Sequence, residues 1–348
     1  MSEINDWTND IHTGDAVETL AELPESSIHM CMTSPPYFGL RDYGVDGQIG
    51  LEDELDEYIE ELVDVFREVR RVLRPDGSAW LNLGDSYVTQ PAGNAGEPSD
   101  SLNGDYQSYA NKDTNDKTKR TSLARKNKML VPHRVAIALQ KDGWIVRNDV
   151  TWAKPNPMPS SVKDRLNTTT EQVFHLVPEP DYWYDLDAIR EEYAESSAER
   201  YEYGYDAADD YPSVGGIDED MGANSAGKNP GDVFEVTTKP FPEAHFAVYP
   251  PELVETPLKA TCPPKVCAEC GSPSDCNCDT DAAEPGIALD PFAGAGTTCL
   301  VAKEHGRRFI GIDLNEKYVA MAQKRLGLTV DKPEHVRDDA DAGLEDFA

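Results

Sequence analysis

Residues 286–298 read Gly-Ile-Ala-Leu-Asp-Pro-Phe-Ala-Gly-Ala-Gly-Thr-Thr, and Arg308-Phe-Ile-Gly-Ile-Asp313 follows a helical interval. The apolar run 286–290 reads as a buried strand, 297–306 as a helix, 308–313 as a second strand and 315–326 as a second helix. Strand, glycine turn, helix and strand in that order predict an α/β sheet. Gly294 and Gly296 let the backbone turn tightly and approach a ligand. Asp313 ends the second strand, where a carboxylate can accept both hydroxyls of a ribose. A dinucleotide fingerprint fits poorly, because its third small position falls on Cys299. Asp290, at the end of the first strand, would also repel a pyrophosphate. It suits a nucleoside that carries an ammonium, a sulfonium and no phosphate, which describes S-adenosylmethionine.

Upstream, residues 27–33 (Ser-Ile-His-Met-Cys-Met-Thr) read as a buried strand that runs into Thr33-Ser34-Pro35-Pro36-Tyr37. The prolines fix this turn and bring no competing N–H. A Ser hydroxyl and a backbone carbonyl there can accept from the two N–H groups of an exocyclic amine. That localises a lone pair which the ring otherwise delocalises. Tyr37 offers a flat face to an extruded base. Around this turn, Leu55, Ile59, Leu62, Val63, Phe66, Val69 and Leu73 recur at helical spacing, and Pro75-Asp76-Gly77 stops that helix. Strands are predicted at 78–83 and 144–152, and helices at 132–141 and 249–261.

The two motifs together resemble those of the DNA amino-methyltransferases, which make N4-methylcytosine or N6-methyladenine. The order, catalytic turn first and glycine turn last, resembles the permuted beta group of that family. Gly14-Asp15, Trp152-Ala-Lys154-Pro-Asn-Pro and His245-Phe-Ala-Val-Tyr-Pro250 extend the resemblance over most of residues 10–328. It implies a Rossmann-like, seven-stranded mixed sheet, S-adenosylmethionine as cofactor and base flipping in double-stranded DNA. By position it makes Ser34, Pro35, Pro36 and Tyr37 catalytic. It gives Asp290, Phe292, Gly294, Gly296 and Thr297 to the methionine end of the cofactor, Asp313 to its ribose and Asp15 to its adenine. Ser at the first catalytic position goes with cytosine N4 in most of the family, and Asp with adenine N6. The expected product is therefore N4-methylcytosine, with N6-methyladenine as the alternative. A methyltransferase acting on RNA or a small molecule, and an inactive DNA-binding regulator, are the readings from other classes. Cytosine C5 chemistry is disfavoured, because it needs a Cys nucleophile in a Pro-Cys pair. Cys31 and Cys299 read as small buried hydrophobes.

Asp and Glu number 65 against 32 Lys and Arg, for a formal charge of −33. Phosphates repel such a chain in dilute buffer. In ~1 M salt the screening length falls to ~3 Å, so the balance fits a halophile, a haloarchaeon in particular. No signal segment and no run of ~18 apolar residues is present, which predicts a cytoplasmic protein outside the membrane. Residues 1–89 are expected to form the catalytic half and 90–128 an inserted polar loop. The core resumes over 129–190. Residues 191–238 form an acidic insertion and candidate target recognition region, 239–330 the cofactor half, and 331–348 an acidic tail. The basic run 112–128, with Lys119, Arg120, Arg125 and Lys126, is the candidate DNA-contacting arm. Within a Cys-rich insertion at 262–281, Cys267, Cys270, Cys276 and Cys278 supply four thiolates for a small zinc knuckle. A cognate restriction enzyme is an expected partner. The oligomeric state and the recognition sequence are not legible.

Overall fold

The structure, a computed structural model, describes residues 2–41, 43–88, 121–193, 226–239, 248–274 and 276–328. Lys119, Arg120, most of the 90–128 loop, residues 194–225 of the acidic insertion, residues 245–247 and the 331–348 tail lie outside the described residues.

In chain order the elements are α1 (Ser2–Asn5), β1 (Asp10–Thr13), α2 (Ala16–Glu22), β2 (Ile28–Thr33), α3 (Leu55–Val72) and β3 (Leu73–Leu83). Then come α4 (Val131–Lys141), β4 (Ile145–Ala153), β5 (Thr170–Val177) and β6 (Val233–Glu235). The last part holds α5 (Pro251–Thr261), β7 (Val266–Cys267), β8 (Ala283–Glu284), β9 (Ile287–Asp290), α6 (Thr297–Glu304), β10 (Arg308–Asp313) and α7 (Glu316–Leu326).

One sheet takes eight of these strands in the order β1-β10-β9-β2-β3-β5-β4-β6. Every neighbouring pair is parallel except the two made by β5, which runs against both β3 and β4. The mixed, Rossmann-like α/β sheet expected from the sequence is present, with one strand more than the seven expected. The extra strand, β6, lies inside the stretch read as an acidic insertion. It pairs Val233, Phe234 and Glu235 with Thr151, Trp152 and Ala153 of β4. This covers backbone that would otherwise form a bare edge. The Trp152 indole donates to Val236 O at 2.8 Å, which holds the added strand in place.

Burial explains why the strands stack this way. All six residues of β2 are buried, as a central parallel strand with helices on both faces requires. Its side chains are divided between two cores, with a register shift between Ile28 and Met30. Ile28 and Cys31 join Leu62, Phe66 and Val69 of α3 and Val135 and Leu139 of α4. Met30 and Met32 join Leu253 and Leu258 of α5 and Val301 and Ala302 of α6. Helix α3 starts at a capping box made by Glu54 and Glu57 and ends at Val72, ahead of Pro75-Asp76-Gly77. The following strand begins at once. Ile28 pairs with Leu73 and Met30 with Ser78, so Arg74, Pro75, Asp76 and Gly77 form an excursion between two paired segments.

The consequence for function is directional. Seven strands point one way, so the turns after Thr13, Thr33, Leu83, Asp290 and Asp313 and the loop after Ala153 open at one edge of the sheet. In open α/β sheets this carboxyl edge is where ligands bind.

Candidate active site

The turn after β9 and the turn after β2 face each other across a cleft of about 710 Å³ at that edge. Gly294 and Gly296 both have positive φ, 51° and 71°, so the loop between them takes a shape that side chains with a Cβ resist. A Cβ on Gly296 would stand 3.0 Å from the Ala322 Cβ of α7. Gly296 therefore lets the loop sit down on α7. Arg325 supports the loop from behind, donating to Ala295 O and Thr297 Oγ1, both at 2.9 Å.

Asp313 lines the cleft with Phe292, Gly294, Thr297, Tyr43 and Tyr318. Its carboxylate accepts from Gly294 N and from Asn315 N, each at 2.8 Å. Burial pushes its pKa up, and those two amides oppose the shift. Among the described residues lining the cleft there is one carboxylate and no Lys or Arg. A cleft with aromatic walls, a carboxylate and no cation fits a cationic nucleoside better than a phosphate ester.

Asp290 occupies a different place from the one expected. It is fully buried and does not line the cleft. Oδ1 accepts from Thr33 Oγ1 at 2.7 Å and from Phe292 N at 3.1 Å, and Oδ2 accepts from the Tyr249 hydroxyl at 2.9 Å. The Tyr249 and Thr298 hydroxyls lie 2.5 Å apart, and Thr298 donates to Met32 O at 3.0 Å. One carboxylate thus ties the end of β2 to the glycine turn. Burial raises its pKa to about 6, against the pull of those donors. Asp15 is the N-cap of α2, accepting from Val17 N at 2.9 Å and Glu18 N at 3.0 Å. It lines a neighbouring cleft of about 480 Å³ that shares Pro36, Tyr43 and Phe292 with the first.

Ser34, Pro35, Pro36 and Tyr37 line the opposite wall of the first cleft. The Tyr37 hydroxyl donates to Glu171 Oε2 at 2.7 Å, and Ser34 Oγ lies 3.4 Å from that hydroxyl as its donor. Asn82 Nδ2 reaches Ser34 Oγ at 3.3 Å, the Tyr37 hydroxyl at 3.0 Å and Glu171 Oε2 at 3.1 Å. Lys154 pairs with the other oxygen of Glu171. Tyr58 donates to Pro36 O at 2.9 Å and fixes the proline turn from below. Burial and the Glu171 charge push the Tyr37 pKa up, so this hydroxyl stays protonated. A Cβ at Gly84 would stand 2.5 Å from the Tyr37 ring, so that glycine makes room for the aromatic side chain.

A family model of DNA methylases matches residues 28–324, from the start of β2 to the last helix. The chain belongs to the N4-cytosine/N6-adenine DNA methylase family. The methylase is 37% identical over 325 residues to the Type II methyltransferase M.Cfr9I of Citrobacter freundii, covering 93% of this chain and 89% of that one. It is 36% identical to M.SmaI of Serratia marcescens, covering 91% and 90%. In fold it is similar to the PvuII DNA methyltransferase (cytosine-N4-specific), with a TM-score of 0.57, 18% identity and coverage of 92% and 86%. It is also similar to a DNA modification methylase of Thermus thermophilus, TTHA0409, complexed with S-adenosyl-L-methionine, with a TM-score of 0.52, 21% identity and coverage of 91% and 93%. The methylase is thus an S-adenosylmethionine-dependent DNA methyltransferase.

Asn82, Gly84 and Glu171 were not among the residues singled out by sequence, and Thr33 was read only as the first residue of the proline turn. Lys154 and Tyr249 sit inside segments that were, Trp152-Ala-Lys154 and Val248-Tyr249-Pro250. Of the expected DNA arm, Arg125 and Lys126 are described and exposed. Lys126 pairs with Asp164, and Tyr87 bridges to Lys128. This places the described end of the arm beside the loop after β4, at the cleft edge. The four Cys of the knuckle lie at the other edge. Among the described residues no helix is long and apolar enough to cross a membrane.

Proposed function

We propose that this methylase transfers the methyl group of S-adenosylmethionine to N4 of a cytosine flipped out of double-stranded DNA. The observation that carries the reading is the hydroxyl chain from Ser34 through Tyr37 to Glu171. In it Ser34 donates to Tyr37 and Tyr37 donates to Glu171, so the Ser34 hydroxyl, which lines the cleft, has its hydrogen engaged and would act as an acceptor towards an exocyclic amine. Accepting one N–H there, with the Pro35 carbonyl accepting the other, draws electron density back onto the amine nitrogen. Tyr37 and Pro36 wall the base, and Tyr37 cannot swing because its hydroxyl is tied to Glu171. The cofactor supplies an electrophilic methyl group. Phe292, Gly294 and Thr297 would hold its methionine end, Asp313 its ribose, and the cleft beside Asp15 its adenine. Gly296 and Asp290 shape that site and do not touch the ligand. Ser34, where adenine-modifying members of the family carry Asp, favours cytosine. The catalytic turn preceding the glycine turn favours the permuted group.

DNA would approach along the carboxyl edge. The loop 154–169 projects there with Met158 87% exposed and Leu166 90% exposed, and with Lys163 and Arg165 beside them. Apolar tips between cations suit a wedge between base steps flanked by phosphate contacts. Arg125 and Lys126 continue that surface, and residues 191–238 remain the candidate recognition region. The net charge of −33 makes concentrated salt the working medium of this reading. The Type II relatives make a restriction enzyme with the same recognition sequence the expected partner. The test is nucleoside mass spectrometry of unmethylated duplex DNA after incubation with protein and cofactor in high KCl. N4-methylcytosine is the expected product. N6-methyladenine would overturn the choice of base and keep the site, and no methylated base despite cofactor binding would overturn the substrate.

A further inference from the structure

Four sulfurs converge at the edge of the sheet opposite the cleft. The Sγ atoms of Cys267, Cys270, Cys276 and Cys278 all lie within 4.8 Å of one another. Cys267 ends β7, and a tight turn brings Cys270 back beside it. Gly271 N donates to Cys267 O at 2.8 Å, and Cys267 N donates to Ser272 O at 2.8 Å. Gly271 takes the positive φ of 71° that this turn requires. All four thiols are free. A mutual approach of four sulfurs to one point is the geometry of a metal centre, whereas two disulfides would pair them off.

We propose that these four thiolates bind a single zinc ion, and that the ion locks the starts of the central strands together. Zinc–sulfur bonds of about 2.3 Å set the sulfur–sulfur edges near 3.8 Å, which sulfurs no more than 4.8 Å apart can reach by small side-chain adjustments. The knuckle reaches the sheet through its carbonyl groups. Gly271 O accepts from His29 Nε2 at 3.0 Å, and Ile287 N donates to His29 Nδ1 at 3.0 Å. The second bond fixes the tautomer, since Nδ1 must accept and Nε2 must carry the hydrogen. Cys270 O accepts from Arg74 Nη1 at 2.8 Å, and the same guanidinium binds both oxygens of Asp76. His29 opens β2, Ile287 opens β9 and Arg74 sits in the excursion at the start of β3. The metal would therefore fasten three strands at the ends away from the cleft, roughly 20 Å from the chemistry along a six-residue strand. Its work is structural, and a direct part in methyl transfer is excluded by position.

The experiment measures metal in the full chain, grown with zinc and freed of loosely bound ions. The expected result is one zinc per chain, lost in the double variant Cys276→Ser with Cys278→Ser and kept in Cys31→Ser. Cobalt loaded into the wild-type chain should give the absorption of a tetrahedral four-thiolate site, a readout that does not depend on any variant folding. Stripping the zinc with a chelator should lower Tm by about 5 °C or more. Methyl transfer measured well below both Tm values should change less than twofold. Metal at background level, mass-spectrometric evidence for two disulfides, or metal retained by the double variant would each overturn the site. A Tm unmoved by metal removal would overturn its structural role. None of these readouts depends on which base is methylated.

Discussion

Where the strands of the central sheet begin, His29 uses both ring nitrogens and Arg74 serves two partners at once. Where the same strands end, Asn82 Oδ1 is buried with no partner, Ser34 lines the cleft with its hydroxyl donating to Tyr37, and Asp313 presents a half-buried carboxylate. Both edges are polar, and they differ in whether their polar side chains tie elements together or line the cleft. Saturated hydrogen bonding makes a joint, and hydrogen-bonding capacity aimed at empty space makes a site. Variants of the residues that line the cleft should cost rate and leave stability largely intact, and variants of the buried joints should do the reverse.

Ser34→Ala should have the largest effect, lowering kcat by roughly 10²–10³-fold, about 3–4 kcal/mol of transition-state stabilisation. Cofactor affinity by calorimetry and Tm should stay close to wild type. A kcat within threefold of wild type would break the contrast at its strongest point. Next is Asp290, whose pKa is raised from its usual 3.8 to about 6. A raised carboxyl contributes stability below its unfolded pKa of about 4 and loses it as pH rises through 6. Asp290→Asn carries no charge to bury. It should therefore gain on the wild type between pH 3 and pH 8 by roughly 3 kcal/mol, most of it between pH 4 and pH 6, as read from thermal unfolding across that range. A pH-independent difference would show that Asp290 is ionised at little cost.

His29→Ala crosses to the other edge and removes two buried hydrogen bonds. About 2 kcal/mol of stability should go, seen as a lower Tm, with methyl transfer at low temperature unchanged. Glu171→Gln, back at the cleft, releases Lys154 and weakens the hold on Tyr37. A fall in kcat of about tenfold is expected, without a matching loss of stability. The smallest effect belongs to Met158→Ala combined with Leu166→Ala. Both side chains are exposed, so Tm should not move, and KM for duplex DNA should rise a few-fold. An unchanged KM would remove this loop from the DNA-binding surface.

How much of this was readable in the chain depends on how local each signal is. The unit β9–α6–β10 is written in consecutive residues, and its predicted bounds lie within two residues of those observed. The Ser-Pro-Pro-Tyr turn was legible for the same reason. Strand β5 was not. Thr170-Glu-Gln begins it with polar residues, and one of its two partners, β3, comes from a distant part of the sequence. Glu171 and Asn82 were missed because a lone polar residue in a strand reads as surface. Glu171 meets Tyr37 across 134 residues, a proximity that only the antiparallel β3–β5 pairing creates. Asp290 was recognised by motif and given a ligand. Its burial against Thr33 and Tyr249, two residues far from it in sequence, gives it a joint to hold instead.

The first strand of the sheet lies against the last. Thr13 pairs with Asp313, and Gln323 near the end of α7 donates to Ile11 O at 3.1 Å. The core therefore enters and leaves at neighbouring points, and a short tether could join them while the chain is cut open between β8 and β9. A gene rearranged in this way would read glycine turn first and serine turn second, yet its product would assemble the same cleft. For this architecture, the cleft depends on which strands lie side by side, and not on which of the two motifs comes first along the chain.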